Sequence, residues 1–401
     1  GREAPSLHPN RGALIAARPD PSGCHRRRAR FARSCGRLVG RRGAMSAGSP
    51  AQEPAAPQRL VYETPWPAYA LAWSADPRPG VRLAVGSCLE QDSNKIHVVE
   101  QAEDRTGALE LKAAVDHPLA PTKLMWRPSC AETGKGDDLL VSASTMLQLW
   151  KLQEGKLVQV AKLANTRSSQ GNHGMAPVTA FDWSTENTAK IGSSSVDTTC
   201  TIWNLETHKI ETQLIAHDKA VYDIGFAHQA SHFGSVSADG SLRLFDQRNL
   251  EHSTIIYETS PHSPLLRIAW NKLNPNHIAT IAMDWPGVIL IDIRRPYTAV
   301  ARLSYRDVCV NSICWAPHSR SHLLAGGSDG CALIWDVSDV PGLSQQPAAA
   351  EGASKSPAPA SHLPLLAHES GCGELYQVQW PAALPDFCAL GSADRVTMLE
   401  M

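Results

Sequence analysis

The chain has 401 residues, of which 43% are hydrophobic and 19% charged, and a formal net charge of −1. No apolar run approaches the ~20 residues of a helical membrane span. Ten cysteines are scattered without a C-x-x-C pair, which argues against a zinc site or disulfide framework and for reduced thiols.

The charge is uneven. Residues 1–44 hold eleven Arg against Glu3 and Asp20, a surplus of 11 − 2 = 9, so the remainder carries −1 − 9 = −10. This basic leader has the composition of a transit peptide or a nucleic-acid-binding arm. No amphipathic period runs through Arg26 to Arg42, however, and Met45 is the expected start. Residues 46–58 are polar, Ala/Pro-rich and expected to be disordered. The division expected is therefore a leader and linker over 1–58 and a single folded domain over 59–401.

Within the domain, short strands follow one another at turn-bounded intervals. Leu60-Val61-Tyr62 comes first. The pairs Val81–Ser87 and Lys95–Val99 follow, then Thr122–Trp126, Leu139–Ser144 and Met146–Leu152. A polar loop, 165–175, precedes Val178–Trp183, Ile191–Ser195 and Val196–Trp203. Val221–Phe226, Ser235–Ser237 and Leu242–Asp246 form the most complete unit. Its Ala238-Asp239-Gly240 turn suits a two-residue hairpin, because Asp-Gly tolerates positive φ. Leu265–Trp270, His277–Ala282 and Val288–Ile293 come next, then Val310–Trp315, Leu323–Ser328 and Cys331–Asp336. The Pro/Ala/Ser-rich stretch 341–364 is expected to be a disordered excursion, after which Glu374–Trp380 and Val396–Leu399 resume the pattern.

An aromatic residue ends the first strand of every unit: Trp73, Trp126, Trp183, Phe226, Trp270, Trp315 and Trp380. The central intervals are 43, 44 and 45 residues, the period of a propeller blade. The outer intervals of 53, 57 and 65 each contain a polar or Pro/Ala-rich stretch. Seven such units specify an all-β, seven-bladed WD40 propeller. Its ring must close, so Leu60-Val61-Tyr62 is predicted to complete the last blade, which has no fourth strand of its own.

His217, Ser237 and Asp239 have the composition of a hydrolase triad, as do Asp197 with Ser195 and His117 with Ser142. Recurrence at blade period identifies them instead as a structural network joining entry His, strand Ser, turn Asp and third-strand Trp. Blade four holds the fullest set, with Phe245 in place of Trp. Blade three (Asp197, Trp203) and blade six (Asp329, Trp335) hold partial sets. No phosphate loop, zinc helix or nucleophile elbow occurs. The chain is therefore read as carrying no catalytic residue, cofactor or metal. Phe245-Asp246-x-Arg248 resembles the aromatic-Asp-x-Arg box of cullin-4 ligase substrate receptors, and Asp292-x-Arg294 repeats its second half one blade later; the alternative is that Asp246 and Arg248 only pair with each other at a blade edge. An exposed Arg there offers a guanidinium fork to a carboxylate or carbonyl.

Several longer runs go beyond generic WD consensus. Asp197–Thr207, Glu211–Phe226, Leu250–Glu258, Pro264–Lys272, Trp315–Ser319 and Tyr62–Ser74 resemble the cullin-4-associated factor seven family. That family is also called WD-repeat protein 68, with TRANSPARENT TESTA GLABRA among its plant members. The resemblance spans about Val61 to Met401. It implies a non-enzymatic adaptor in nucleus and cytoplasm that bridges dual-specificity and homeodomain-interacting kinases, or transcription factors, to their partners. Service as a substrate receptor of a cullin-4 RING ubiquitin ligase is the alternative it implies. It implies neither membrane association nor direct nucleic-acid binding by the propeller. The leader, the 341–364 insert, Asp284-Trp285-Pro286-Gly287 and Ala220 depart from the family pattern.

Overall fold

The computed structural model describes residues 59–75, 80–90, 93–102, 108–128, 138–164, 176–228, 231–283, 285–340 and 363–401. The leader and linker, the 165–175 loop, Asp284 and residues 341–362 of the insert lie outside the described residues. The remainder belongs to one compact unit, Gln58–Met401.

Seven four-stranded antiparallel sheets form the blades. Blade four shows the pattern: Val221–Phe226, His232–Ser237, Ser241–Asp246 and Asn249–Glu258 are laid side by side in chain order. The first strand of each blade packs against the first strand of the next, and the seventh returns to the first. The resulting ring of seven blades is the propeller the aromatic period specifies. Its core lies between blades, where neighbouring sheets share apolar clusters such as Ala70, Ala84 and Ile96 with Leu124, Trp126 and Leu140.

Closure occurs where the sequence places it. Arg59–Glu63 pairs antiparallel with Arg395–Glu400, in the register Leu60↔Met398 and Tyr62↔Val396. Leu60 is 1% exposed. A strand contributed from the other end of the chain supplies the fourth, outer strand of the last sheet and covers the edge of Arg395–Glu400.

The inner edges are closed differently. First strands of neighbouring blades do not share a ladder, so side chains of one blade accept the backbone N–H groups of the next. Asp182 Oδ2 accepts Phe226 N at 2.7 Å, Asp223 Oδ2 accepts Ile268 N at 3.1 Å, and Ser312 Oγ accepts Val378 N at 3.1 Å. Across the closure, Gln377 Oε1 accepts Leu71 N at 2.7 Å and Gln379 Oε1 accepts Trp73 N at 3.1 Å. Buried backbone donors require such partners. The recurring aromatics share this work. Trp126 Nε1 donates to Ala72 O (3.1 Å) and Trp315 Nε1 to Ala269 O (3.0 Å), each reaching back one blade.

Three local expectations are corrected. The second strand of blade four begins at His232, not Ser235, because Phe233 stacks on Phe245 with centroids 4.9 Å apart and planes at 8°. Val196–Thr198 is a turn rather than strand: Thr198 has φ 72° and Asp197 Oδ1 accepts Thr199 N at 3.2 Å. The blade-four turn spans three residues, Ala238-Asp239-Gly240, and Gly240 alone takes positive φ (84°). A Cβ there would meet Thr259 Oγ1 at 2.6 Å, so only glycine fits.

Truncating the closing strand's anchor tests the role of closure. Leu60→Ala should destabilise the propeller by about 2–5 kcal/mol, the cost of a core leucine cavity. A urea titration should show a lower midpoint with an unchanged slope.

Candidate functional site

The triad-like sets sit inside the blades. His217 is 2% exposed; its Nε2 meets Ser235 Oγ at 2.8 Å, and its Nδ1 meets Asp239 Oδ2 at 3.0 Å and Ser241 Oγ at 3.1 Å. The serine on the ring is therefore Ser235, not the expected Ser237. Ser237 Oγ–H donates instead to Ala220 O at 2.9 Å, and its oxygen accepts Asp239 N at 3.1 Å. Ser235 and Ser237 are both fully buried and lie two apart, on one face of the strand, so alternation alone does not choose between them; the ring reaches the one farther from the turn.

A second set joins the outer strand of blade one to blade two, and brings together the His117 and Ser142 that the sequence pairs. His117 Nε2 lies 3.0 Å from Ser142 Oγ, and Trp150 Nε1–H donates to that oxygen at 2.9 Å. In blade three, among the described residues, Trp203 Nε1–H donates to Ser193 Oγ at 2.8 Å, beside Asp197, whose Oδ1 caps the turn. In blade six Asp329 Oδ1 accepts Cys331 N at 3.0 Å, and Trp335 is buried in the core. These hydroxyls, rings and carboxylates are sealed within sheets and satisfy one another, which suits them to holding strands together.

Burial by itself would raise the Asp239 carboxyl. Hydrogen bonds from His217 and Ser241 outweigh it and hold the group well below the usual carboxylate range. Burial pushes the His117 imidazole down, against the pull of the Leu119 carbonyl.

The arginines of the Asp-x-Arg boxes are exposed, while Asp292 is buried. Each box lies at the end of a third strand, in the turn to the outer strand. Arg248 forks its own Asp246: Nη2 donates to Oδ2 at 2.6 Å, Nε to Oδ1 at 2.9 Å, and the Arg248 backbone N–H adds a bond of 3.0 Å. Arg294 repeats this on Asp292, at 2.6, 3.0 and 2.9 Å. The Arg248 and Arg294 side chains remain 74% and 57% exposed. A guanidinium carries five N–H donors, and each fork leaves the Nη1 edge toward solvent. Both arginines are thus pre-oriented, side by side on adjacent blades. Hydrogen bonds from Arg248 hold the Asp246 carboxyl far below its ordinary value. At Asp292 burial works the other way, and Arg294 overcomes it. Phe245, the aromatic of the box, is buried beneath the strand.

A third element escaped the sequence reading. The second strands of blades four, five and six each begin with a histidine in register with the aspartate that ends the third strand: His232↔Asp246, His277↔Asp292 and His322↔Asp336. The signal was present as His-to-Asp intervals of 14, 15 and 14 residues. His232 Nε2 stands 3.7 Å from Asp246 Oδ2. His277 is 3% exposed, and neither of its ring nitrogens has a hydrogen-bond partner among the described residues. Burial pushes its pKa down, which Asp292 opposes and Arg294 reinforces.

Comparison with known proteins agrees with this architecture. The family described as WD domain, G-beta repeat matches residues 208–246 and 300–336. Each match runs from the outer strand of one blade through the third strand of the next, so the sequence repeat is offset from the structural blade. The chain is 41% identical over 341 residues to the DDB1- and CUL4-associated factor 7 homolog of Dictyostelium discoideum, covering 85% of this chain and 98% of that protein. It is 37% identical over 299 residues to an uncharacterized WD repeat-containing protein of Schizosaccharomyces pombe, covering 69% of each. A WD repeat-containing protein of Saccharomyces cerevisiae is 33% identical over 310 residues, which cover 69% of this chain and 57% of that one.

The two shifted groups predict the pH dependence of stability. Asp239 has a depressed folded pKa, so its contribution is present above about pH 3.9 and lost as pH falls through the folded value. Asp239→Asn should flatten that acid limb. His277 is also depressed, which for a base means that stability is present above about pH 6.5 and declines below it, as the unfolded state takes up the proton first. His277→Leu should remove that decline. Urea midpoints across the acid range check both, and Ser235→Ala should cost about 1–3 kcal/mol by leaving His217 unsatisfied.

Proposed function

The chain belongs to the DDB1- and CUL4-associated factor 7 family of WD40 proteins, and we propose that it works there as a non-enzymatic interaction platform. It bridges protein kinases or transcription regulators to their partners, in nucleus and cytoplasm. The mechanism follows from rigidity. Blades locked to one another present loops at fixed separations, and two proteins held on one ring meet at a raised effective concentration. The triad-like His, Ser and Asp sets of blades two and four are consumed in bonds among themselves. The pre-oriented groups left facing solvent are recognition groups.

The observation that carries the reading is the pair of Asp–Arg forks on blades four and five. Two guanidinium edges, each fixed by its own aspartate, lose little side-chain freedom on binding. They suit a partner offering carboxylates or backbone carbonyls. This favours a second reading, in which the same surface docks the adaptor of a cullin-4 ligase and the propeller serves as its substrate receptor. The Dictyostelium relative is named for association with DDB1 and CUL4.

Recovery of the ligase adaptor by the full chain tests the receptor reading. Arg248→Ala combined with Arg294→Ala should weaken it about tenfold or more, the scale of losing interfacial Arg anchors. The Arg248–Asp246 pair is open to solvent and contributes little to folding, so Arg248→Ala alone should keep the melting midpoint and still weaken recovery; Arg294→Ala strips the buried Asp292 carboxylate of its partner and should lower the midpoint. Undiminished adaptor recovery would remove this role from the forks. Affinity purification with and without residues 341–364 tests the platform: kinases or transcription factors should appear with both forms, and recovery of neither would sink it.

A further inference from the structure

The central channel carries charged side chains that neither the blade networks nor the forks use. First-strand residues of the blades meet there: Thr122 with Lys123, Thr179 with Ala180 and Arg267 with Ile268 border one cavity of about 140 Å³. The register between first and second strand slips by one residue in five blades, after Ala68, Val178, Val221, Leu265 and Val310, and runs without a slip in blade two, which supplies Lys123.

Three of the residues lining that cavity are charged: Lys123, Asp223 and Arg267. Lys123 Nζ lies 3.3 Å from Asp223 Oδ1, reaching past blade three from blade two to blade four. The Asp223 side chain is 5% exposed, and both its oxygens also accept backbone N–H groups, from Ile224 at 2.9 Å and Ile268 at 3.1 Å. Its charge is therefore already shared among three donors. Arg267 donates Nη1–H to the Leu266 carbonyl at 3.0 Å and has no carboxylate partner among the described residues. Two cations against one carboxylate leave +1 on the wall. Ser312 Oγ accepts Val378 N, which keeps its hydroxyl proton for another acceptor. Low-dielectric walls concentrate the field of such a charge.

We propose that the channel binds one small oxyanion of the carboxylate or phosphate class, with Arg267 as its principal ligand and Lys123 and Ser312 beside it. The planar fork of Arg267 matches two oxygens of either group. The size of the cavity sets the limit. It is well below the ~300 Å³ at which pockets begin to enclose drug-sized ligands, so a nucleotide is excluded, whereas an oxyanion and a few waters fit. The inference does not depend on the forks or on the platform reading.

The test is thermal unfolding of the full chain in sodium phosphate or sodium acetate, each against sodium chloride at matched ionic strength. A ligand that binds only the folded state raises the midpoint with its concentration. The wild-type midpoint should rise, and Arg267→Gln should weaken the apparent affinity about tenfold, while the exposed Arg295→Gln leaves it unchanged. Equal responses to acetate and phosphate would identify a single carboxylate, as on a partner's acidic side chain or C-terminus. A response to phosphate alone would identify a free phosphate. No rise beyond chloride, or the same rise in Arg267→Gln, would overturn the proposal. Should Arg267→Gln fail to fold, Arg267→Lys carries the test. It keeps the charge but loses the fork, and must bind several-fold more weakly than wild type.

Discussion

Everything in this molecule depends on the ring being closed. A four-stranded blade buries its faces only against neighbouring blades, so each needs one on either side, and an open ring would strand two apolar faces in water. The chain meets this constraint twice over. At the outside of blade seven, Arg59–Glu63 returns from the N-terminal side of the domain to pair with Arg395–Glu400. At the inside, Gln377 and Gln379 satisfy the backbone of Leu71 and Trp73 on blade one. Hydrophobic burial supplies the driving force for stacking. The polar bonds determine which strand meets which, because a misplaced neighbour would leave buried N–H groups unpaired.

The same requirement explains why much of the apparent chemistry is structural. His217, Asp239 and Ser235 in blade four, and His117 of blade one with Ser142 and Trp150 of blade two, are bonded among themselves. A nucleophile has to reach a substrate, and these hydroxyls have both their ring partner and their burial against that. The exposed Asp–Arg forks obey the opposite logic. Each arginine is fixed by a neighbour two residues away and still shows most of its side chain to solvent. Local bonding there supplies orientation without burial, which is what a docking group requires.

Between these extremes lies the channel wall. Asp223 is both a structural acceptor, holding the backbone of blades four and five, and the counter-charge of Lys123. Skip-blade pairing recurs where Lys272 of blade five reaches Asp182 of blade three at 3.3 Å and the Phe226 carbonyl at 2.6 Å. The wall is therefore stiffened from inside by charges, and Arg267 is the member for which no such counterpart stands among the described residues.

The sequence by itself determined the architecture. Blade number, blade order, the closing strand and most first strands were legible, because a buried strand ending in an aromatic at a 43–45-residue period is a local signal that repeats. The turn chemistry of Asp239-Gly240 and the two Asp-x-Arg boxes were legible for the same reason, since each is made within a few consecutive residues. The outer strands, such as Lys156–Leu163 and Lys209–Ile215, were not read, because they are half-solvated and their alternation is weak. Only the tertiary structure decided which serine meets His217 and that Lys123, Asp223 and Arg267 share one cavity. Those contacts join residues from 18 to 144 positions apart. No local pattern in the chain encodes them.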